Sequence, residues 1–241
     1  QSNNQIAQGR VMARISPAEK HPPITPATDF GDKVRAHVRY YTSSGEQVPG
    51  VTTILSVLNK PALINWANRM GLQGIDTNKY VDEAGAVGTL AHALIMESLG
   101  GKVVRLEDFT ADQLTRARYG VAVFYKWVKA HKLTPQLLEQ PLVSDEHRFG
   151  GTIDMLAILD GDPVLIDLKT SSGIYEEHIF QVGAYWKLLA ESGQEIKGAR
   201  ILRIGRTEGE GMDERVLSGV QVLNAWRVFE HCLAIYRLKK R

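Results

Sequence analysis

Phe149-Gly-Gly-Thr-Ile-Asp-Met155, a short turn at Asp160-Gly161, and then Val164-Leu-Ile-Asp-Leu-Lys-Thr-Ser171 decide how this chain is read. Residues 163–170 alternate, so Val164, Ile166 and Leu168 take one face of a strand while Leu165, Asp167 and Lys169 take the other. Asp-Gly is a strong hairpin signal, and the run 150–159 is expected to return antiparallel to it. A two-residue turn pairs Leu159 with Asp162 and, counting back, sets Asp154 opposite Asp167. With Cβ atoms roughly 4.5–5.5 Å apart, two like charges so placed destabilise a sheet unless something positive accompanies them. A divalent cation between the carboxylates, with Lys169 beside it, meets that need. The competing reading makes Asp154 a solvated residue and Asp167–Lys169 a surface pair worth ~0–1 kcal/mol. Ile153, Met155, Leu156, Leu165, Ile166 and Leu168 weigh against it. They mark two largely buried strands, where charges are rare unless paired or metal-bound.

The 241 residues are 44% hydrophobic and 23% charged, the balance of a soluble globular domain able to bury a sizeable core. No apolar run approaches the ~20 residues of a membrane span, and no secretory signal is visible. A single cysteine, Cys232, excludes an internal disulfide framework and any four-cysteine zinc or iron–sulfur site. A reducing cytoplasm is the expected compartment. The net charge of +2 neither demands nor forbids a nucleic-acid partner. Arg116 with Arg118, the series Arg200, Arg203 and Arg206, and the basic C-terminus from Arg237 each read more readily as solvated surface than as phosphate contacts.

Along the chain, residues 1–45 are rich in Pro, Ser, Gly and polar groups and read as an irregular N-terminal arm before a single domain over 46–241. A hairpin of 38–42 with 48–53 is expected around Ser43-Ser-Gly-Glu46. Pro61 suits the first turn of a helix ending at Gly71, with Leu63, Trp66, Ala67 and Met70 as its apolar stripe. A second helix covers 81–99, and Thr110-Ala-Asp-Gln113 is a capping box opening a third. Strands follow at 137–144, 150–159 and 163–170, then a helix over 176–192 and a strand at 199–205 able to run parallel to an earlier one. A last helix over 220–238 presents Leu223, Trp226, Phe229, Leu233 and Tyr236 inward. The fold class is α/β (α+β): a mixed β-sheet core with flanking helices.

Gly151-Thr-Ile-Asp154, Ile166-Asp-Leu-Lys-Thr-Ser171 and Gln181-x-x-x-Tyr185 together resemble the PD-(D/E)XK nuclease superfamily, whose fold is restriction-endonuclease-like. The RecB-like exonuclease branch, with phage exonucleases and the mitochondrial genome maintenance exonuclease, is the best match. Gly88-Thr-Leu-Ala-His92 is similar to that branch's helix carrying a glycine and a histidine. Val51-Thr-Thr-Ile-Leu55 followed by Pro61-Ala-Leu-Ile-Asn-Trp66 is similar to its N-terminal signature. Five blocks in order, across most of 48–189, make the likeness specific where Asp-x-Lys alone has no weight.

The resemblance implies that Asp154, Asp167, the Leu168 carbonyl and His92 ligate a metal, and that Lys169 orients or helps deprotonate the attacking water. Glu139 sits where the family often has an acidic residue on the preceding strand. Gln181 and Tyr185 match the helical pair that supports the lysine and the substrate backbone. It also implies a phage or bacterial metal-dependent DNA exonuclease, with a recombination or replication protein as a further partner. Mg²⁺ is the expected ion, since it takes hard oxygen ligands and keeps several waters; a histidine in the shell makes Mn²⁺ the alternative. The bland readings stand beside these: a hydrogen-bonded core histidine at 92, and helix–sheet packing for Gln181 and Tyr185. His178, one turn before Gln181, faces the same side. Trp66 and Trp186 read as core before they read as base-stacking platforms. A non-cleaving nucleic-acid- or partner-binding module is the alternative function. A small-substrate metallohydrolase lacks any His-Glu-x-x-His or Gly-x-Ser-x-Gly motif.

Overall fold

In the computed structural model the described residues are 38–240; the expected irregular arm lies outside them as far as residue 37. A short hairpin comes first, β1 (Tyr40–Tyr41) against β2 (Gln47–Val48). Residues 51–53, expected as the end of the hairpin's second strand, instead open a helix, α1 (Val51–Leu55). Val51, Ile54 and Leu55 are all buried there, and only helical spacing puts positions i, i+3 and i+4 on one face. Next come α2 (Pro61–Leu72), α3 (Thr77–Ser98) and α4 (Ala111–Val128). The Thr110 capping box forms as expected: Thr110 Oγ1 accepts from Gln113 N–H, and Gln113 Oε1 accepts from Thr110 N–H. The sheet and its helices follow: β3 (Leu133–Ser144), β4 (Phe149–Leu159), β5 (Asp162–Lys169), α5 (Glu176–Glu191), β6 (Gly198–Ile204), β7 (Met212–Leu217) and α6 (Gly219–Lys239).

The five strands lie in the order β3-β4-β5-β6-β7, antiparallel throughout except for the parallel pair β5–β6, which α5 connects. This is the mixed α+β arrangement expected from the sequence. The β4–β5 turn has φ 53° at Asp160 and 102° at Gly161, the doubly positive geometry of a two-residue turn that matches strand twist, and Leu159 pairs with Asp162. Helices cover both faces. On one side α1, α5 and α6 pack on Ile153, Leu156, Leu165 and Ile201. On the other, α3 and α4 pack on Met155, Ala157, Ile166, Leu168 and Leu202. No helix among the described residues is long and apolar enough to cross a membrane.

Two further expectations are corrected, and one strand is added. The α2 stripe does not reach the core: no residue of that helix is buried, and Leu63 is 52% exposed. Leu223 of α6 is likewise exposed, with Val222, Ala225, Phe229, Cys232 and Leu233 facing inward. β7 was not expected, because its Asp213-Glu-Arg-Val216 run is exposed and carries no alternation to read. Its charges instead pair across to β6, Arg200 with Glu214 and Arg203 with Asp213, while Arg206 meets Glu210. The basic series 200–206 is thus neutralised by its neighbours.

Candidate active site

Asp167 sits near the end of β5, wholly buried, because strand alternation turns it to the same face as Leu165 and hydrophobic neighbours enclose it. Burying a carboxylate without a partner costs several kcal/mol, and Lys169 supplies one: its Nζ lies 2.6 Å from Asp167 Oδ2. Asp167 Oδ1 is buried and has no hydrogen-bond partner among the described residues. Burial, opposed by Lys169 and reinforced by the Asp154 carboxylate, pushes the Asp167 carboxyl up to about 6. Burial would neutralise Lys169, but Asp167 and Asp154 more than offset it and its pKa is raised.

The paired β4–β5 ladder ends at Met155 and Ile166, one residue short of Asp154 and Asp167. Asp154 Oδ2 accepts the Leu168 N–H at 2.8 Å, and Asp154 Oδ1 lies 3.1 Å from His92 Nε2. A break in strand phase accounts for this. Ile153 and Leu156 belong to the α5 side while Met155 and Ala157 belong to the α3 side, so the alternation skips at Asp154. β3 skips at the same level: Leu138 faces α3, whereas Leu142 faces α5. Between them lies Glu139, with φ 46°, a left-handed backbone that a non-glycine residue adopts at a cost of about 1–3 kcal/mol. Its Oε1 is 3.9 Å from His92 Nδ1. His92 on α3 is therefore held between Glu139 and Asp154. Burial pulls its imidazole down, the two carboxylates outweigh that, and its pKa is raised. Burial alone would raise Asp154, yet His92, Lys169 and the Leu168 N–H lower it.

Gln181 and Tyr185 stand one turn apart on α5, with Gln181 Nε2 donating to Tyr185 Oη at 2.6 Å. Burial, then Asp167 and Asp154, holds the phenol well above its usual range, so it stays protonated beside the carboxylates. The glycines explain how these parts come so close. A Cβ at Gly151 would lie 2.6 Å from the Tyr185 ring, and one at Gly88 would lie 2.1 Å from Thr170 Oγ1. Gly88 lets α3 approach the end of β5 one turn before His92.

The structure thus brings together His92, Glu139, Asp154, Asp167 and Lys169, with Tyr185 close to Asp167 and Gln181 held on Tyr185. Leu168 contributes its N–H to Asp154, and its carbonyl lies 3.5 Å from Lys169 Nζ. Trp66 is half-buried and packs on Tyr80, while Trp186 packs partly against the core. The donor set of two carboxylates and an imidazole, with one carboxylate oxygen unengaged, fits a hard divalent cation.

A second acidic group went unread in the sequence. Glu146 and His147 in the β3–β4 turn and Glu191 at the end of α5 place one ligand atom each within 4.8 Å of one another. Lys187 Nζ, 3.2 Å from Glu191 Oε1, already gives that cluster a positive charge, and Glu146 is 71% exposed. No spacing signal links a turn to a distant helix end, so only the tertiary fold reveals it.

No family model matches this chain, and no curated protein matches it. Among solved structures it is similar to LHK-Exo in complex with dAMP, at 13% identity and a TM-score of 0.33, over 65% of this chain and 86% of that one. It is also similar to SSO0001, at 13% identity and a TM-score of 0.25, over 48% of this chain and 59% of that one. At such identities and scores neither likeness carries an activity to this chain.

Proposed function

We propose that this chain is a metal-dependent nuclease that hydrolyses phosphodiester bonds of DNA from an end, with residues 46–241 as its nuclease domain. One observation carries the reading: His92, Asp154, Asp167 and Lys169, from a helix and two strands, converge with a buried carboxylate oxygen left unengaged. Asp154, Asp167 and His92 would hold Mg²⁺ or Mn²⁺, with the Leu168 carbonyl and Glu139 adjoining. Such a cation lowers the pKa of bound water and neutralises charge gathering on the scissile phosphate. Lys169 Nζ orients the attacking water and balances the phosphate's added negative charge. Gln181 and the protonated Tyr185 fix the Asp167–Lys169 pair from the α5 side and shield it from bulk water.

End-labelled single- and double-stranded DNA tests this. Cleavage is expected with Mg²⁺ or Mn²⁺ and none with chelator, and Asp167→Ala and Lys169→Ala are each expected to lower the rate about 10²–10³-fold. Metal-dependent cleavage that survives in both variants contradicts the site. One observation favours a non-cleaving nucleic-acid-binding module instead. His92 and Leu168 N–H already satisfy Asp154, and Lys169 already neutralises Asp167, so the set is tolerable without an ion. DNA binding without cleavage across several divalent ions supports that second reading.

A further inference from the structure

A cleft of about 520 Å³ opens between α1, the start of α2 and α5, and Lys169 lies in its wall. Pockets of about 300–1,000 Å³ hold one small ligand and cannot admit a duplex. One side is apolar, with Leu58, Leu63 and Ile64; Leu63 and Ile64 are 52% and 67% exposed on a helix that buries nothing. The opposite side carries Lys169, His178 and Gln181. Lys60, also in the wall, is paired at 2.7 Å with Glu177.

His178 is the group the nuclease reading leaves unused. Only 9% exposed, it stands at the third position of α5, where its Nδ1 accepts the Tyr175 N–H at 3.2 Å and closes the capping box. An Nδ1 that accepts carries no proton, so the neutral ring carries its proton on Nε2. Burial, then the Lys169 ammonium, pushes the imidazole down to about 4, and the ring is neutral in ordinary assay buffers. Nε2 has no hydrogen-bond partner among the described residues and belongs to a side chain that lines the cleft. Nε2–H is thus open to the cleft and free to donate to an acceptor that arrives with a ligand.

We infer that the cleft holds one unstacked nucleotide of the substrate, and that His178 Nε2–H donates to its phosphate while Leu58, Leu63 and Ile64 face its base. This rests on the nuclease reading and adds the binding residue and the single-nucleotide scale of the subsite. The phosphate would lie beside Lys169, where an anion is favoured and a cationic or neutral polar acceptor is not.

The test is binding of thymidine monophosphate and of thymidine to the whole chain in chelator, where no cleavage occurs. His178→Gln keeps both functions, since the amide oxygen can cap Tyr175 and the amide N–H₂ can donate. His178→Glu caps equally well but cannot donate. The Gln variant is expected to bind thymidine monophosphate within about threefold of wild type and the Glu variant at least about tenfold more weakly, with thymidine binding unchanged in both. The same contrast should persist in a Lys169→Met background, where the introduced carboxylate has no ammonium to pair with. Equal binding of the nucleotide by wild type and both variants makes His178 a helix cap alone and overturns the inference while the nuclease reading stands. Loss of the contrast in the Lys169→Met background overturns it too. A wild type that neither binds the nucleotide nor cleaves DNA removes both readings together.

Discussion

Lys169→Met is expected to lower cleavage about 10²–10³-fold, as Lys169→Ala does, and, separately, to destabilise the protein in a strongly pH-dependent way. At pH 8 the loss should be about 3 kcal/mol, the lower part of the range for breaking a buried ion pair, because Lys169 is 16% exposed while Asp167 is fully buried. The sign follows from Asp167. Its folded-state pKa, already pushed up to about 6 by burial, rises further once the ammonium is gone. An acid that is harder to ionise folded than unfolded lowers stability as pH climbs above its unfolded value near 4, and the full cost is present above its folded value. Below about pH 6 Asp167 is protonated in the folded state of both proteins, so the deficit of the variant should fade there and open between pH 6 and pH 8. Urea unfolding of metal-free wild type and variant between pH 4 and pH 8 measures it. A deficit that is constant across that range would falsify the buried-pair account.

The second large effect is expected at a residue with no chemistry of its own. Gly88→Ala puts a Cβ 2.1 Å from Thr170 Oγ1, so α3 and the end of β5 must separate. Overpacking of this kind costs about 1–3 kcal/mol. Because His92 follows one turn later, it is drawn away from Asp154, and metal affinity should fall about 10–100-fold, the size of effect seen when a ligand loses its support. Thr170→Ala removes the clashing hydroxyl and leaves the Thr170 Cβ, at 3.2 Å, as the nearest obstacle. The double variant should therefore recover most of the stability and of the affinity. If it is no better than Gly88→Ala, the coupling between the two positions is absent and the glycine matters for another reason.

The hairpin at the heart of the site was legible because its turn residues and its alternation agree, and the register Leu159 with Asp162 follows from Asp160-Gly161 alone. The parallel strand β6 was legible from the helix before it. Periodicity failed where it reports amphipathicity without a partner: α2 has an apolar stripe and nothing covering it. It failed again at Val51-Thr-Thr53, read as the end of a strand, where burial at helical spacing through Leu55 prevails. Asp154 and Asp167 were expected to face each other directly. The phase break at Glu139 and Asp154 turns Asp154 toward His92 instead, and a left-handed glutamate leaves no trace in a sequence pattern. His92 itself was legible only through the family likeness, since a histidine on an apolar helix has no marker of the strand it will meet. The cleft, with His178 in its lining, depends on three helices that the sequence does not order in space.

Two clusters in this fold offer oxygen and imidazole ligands, and a titration of Mn²⁺ followed by electron paramagnetic resonance decides between them. If His92, Asp154 and Asp167 form the metal centre, tight Mn²⁺ binding is lost in His92→Ala and Asp167→Asn and kept in His147→Ala and Glu191→Gln. Binding that survives in the first two variants and disappears in the second two contradicts the account, and moves the ion to the turn between β3 and β4.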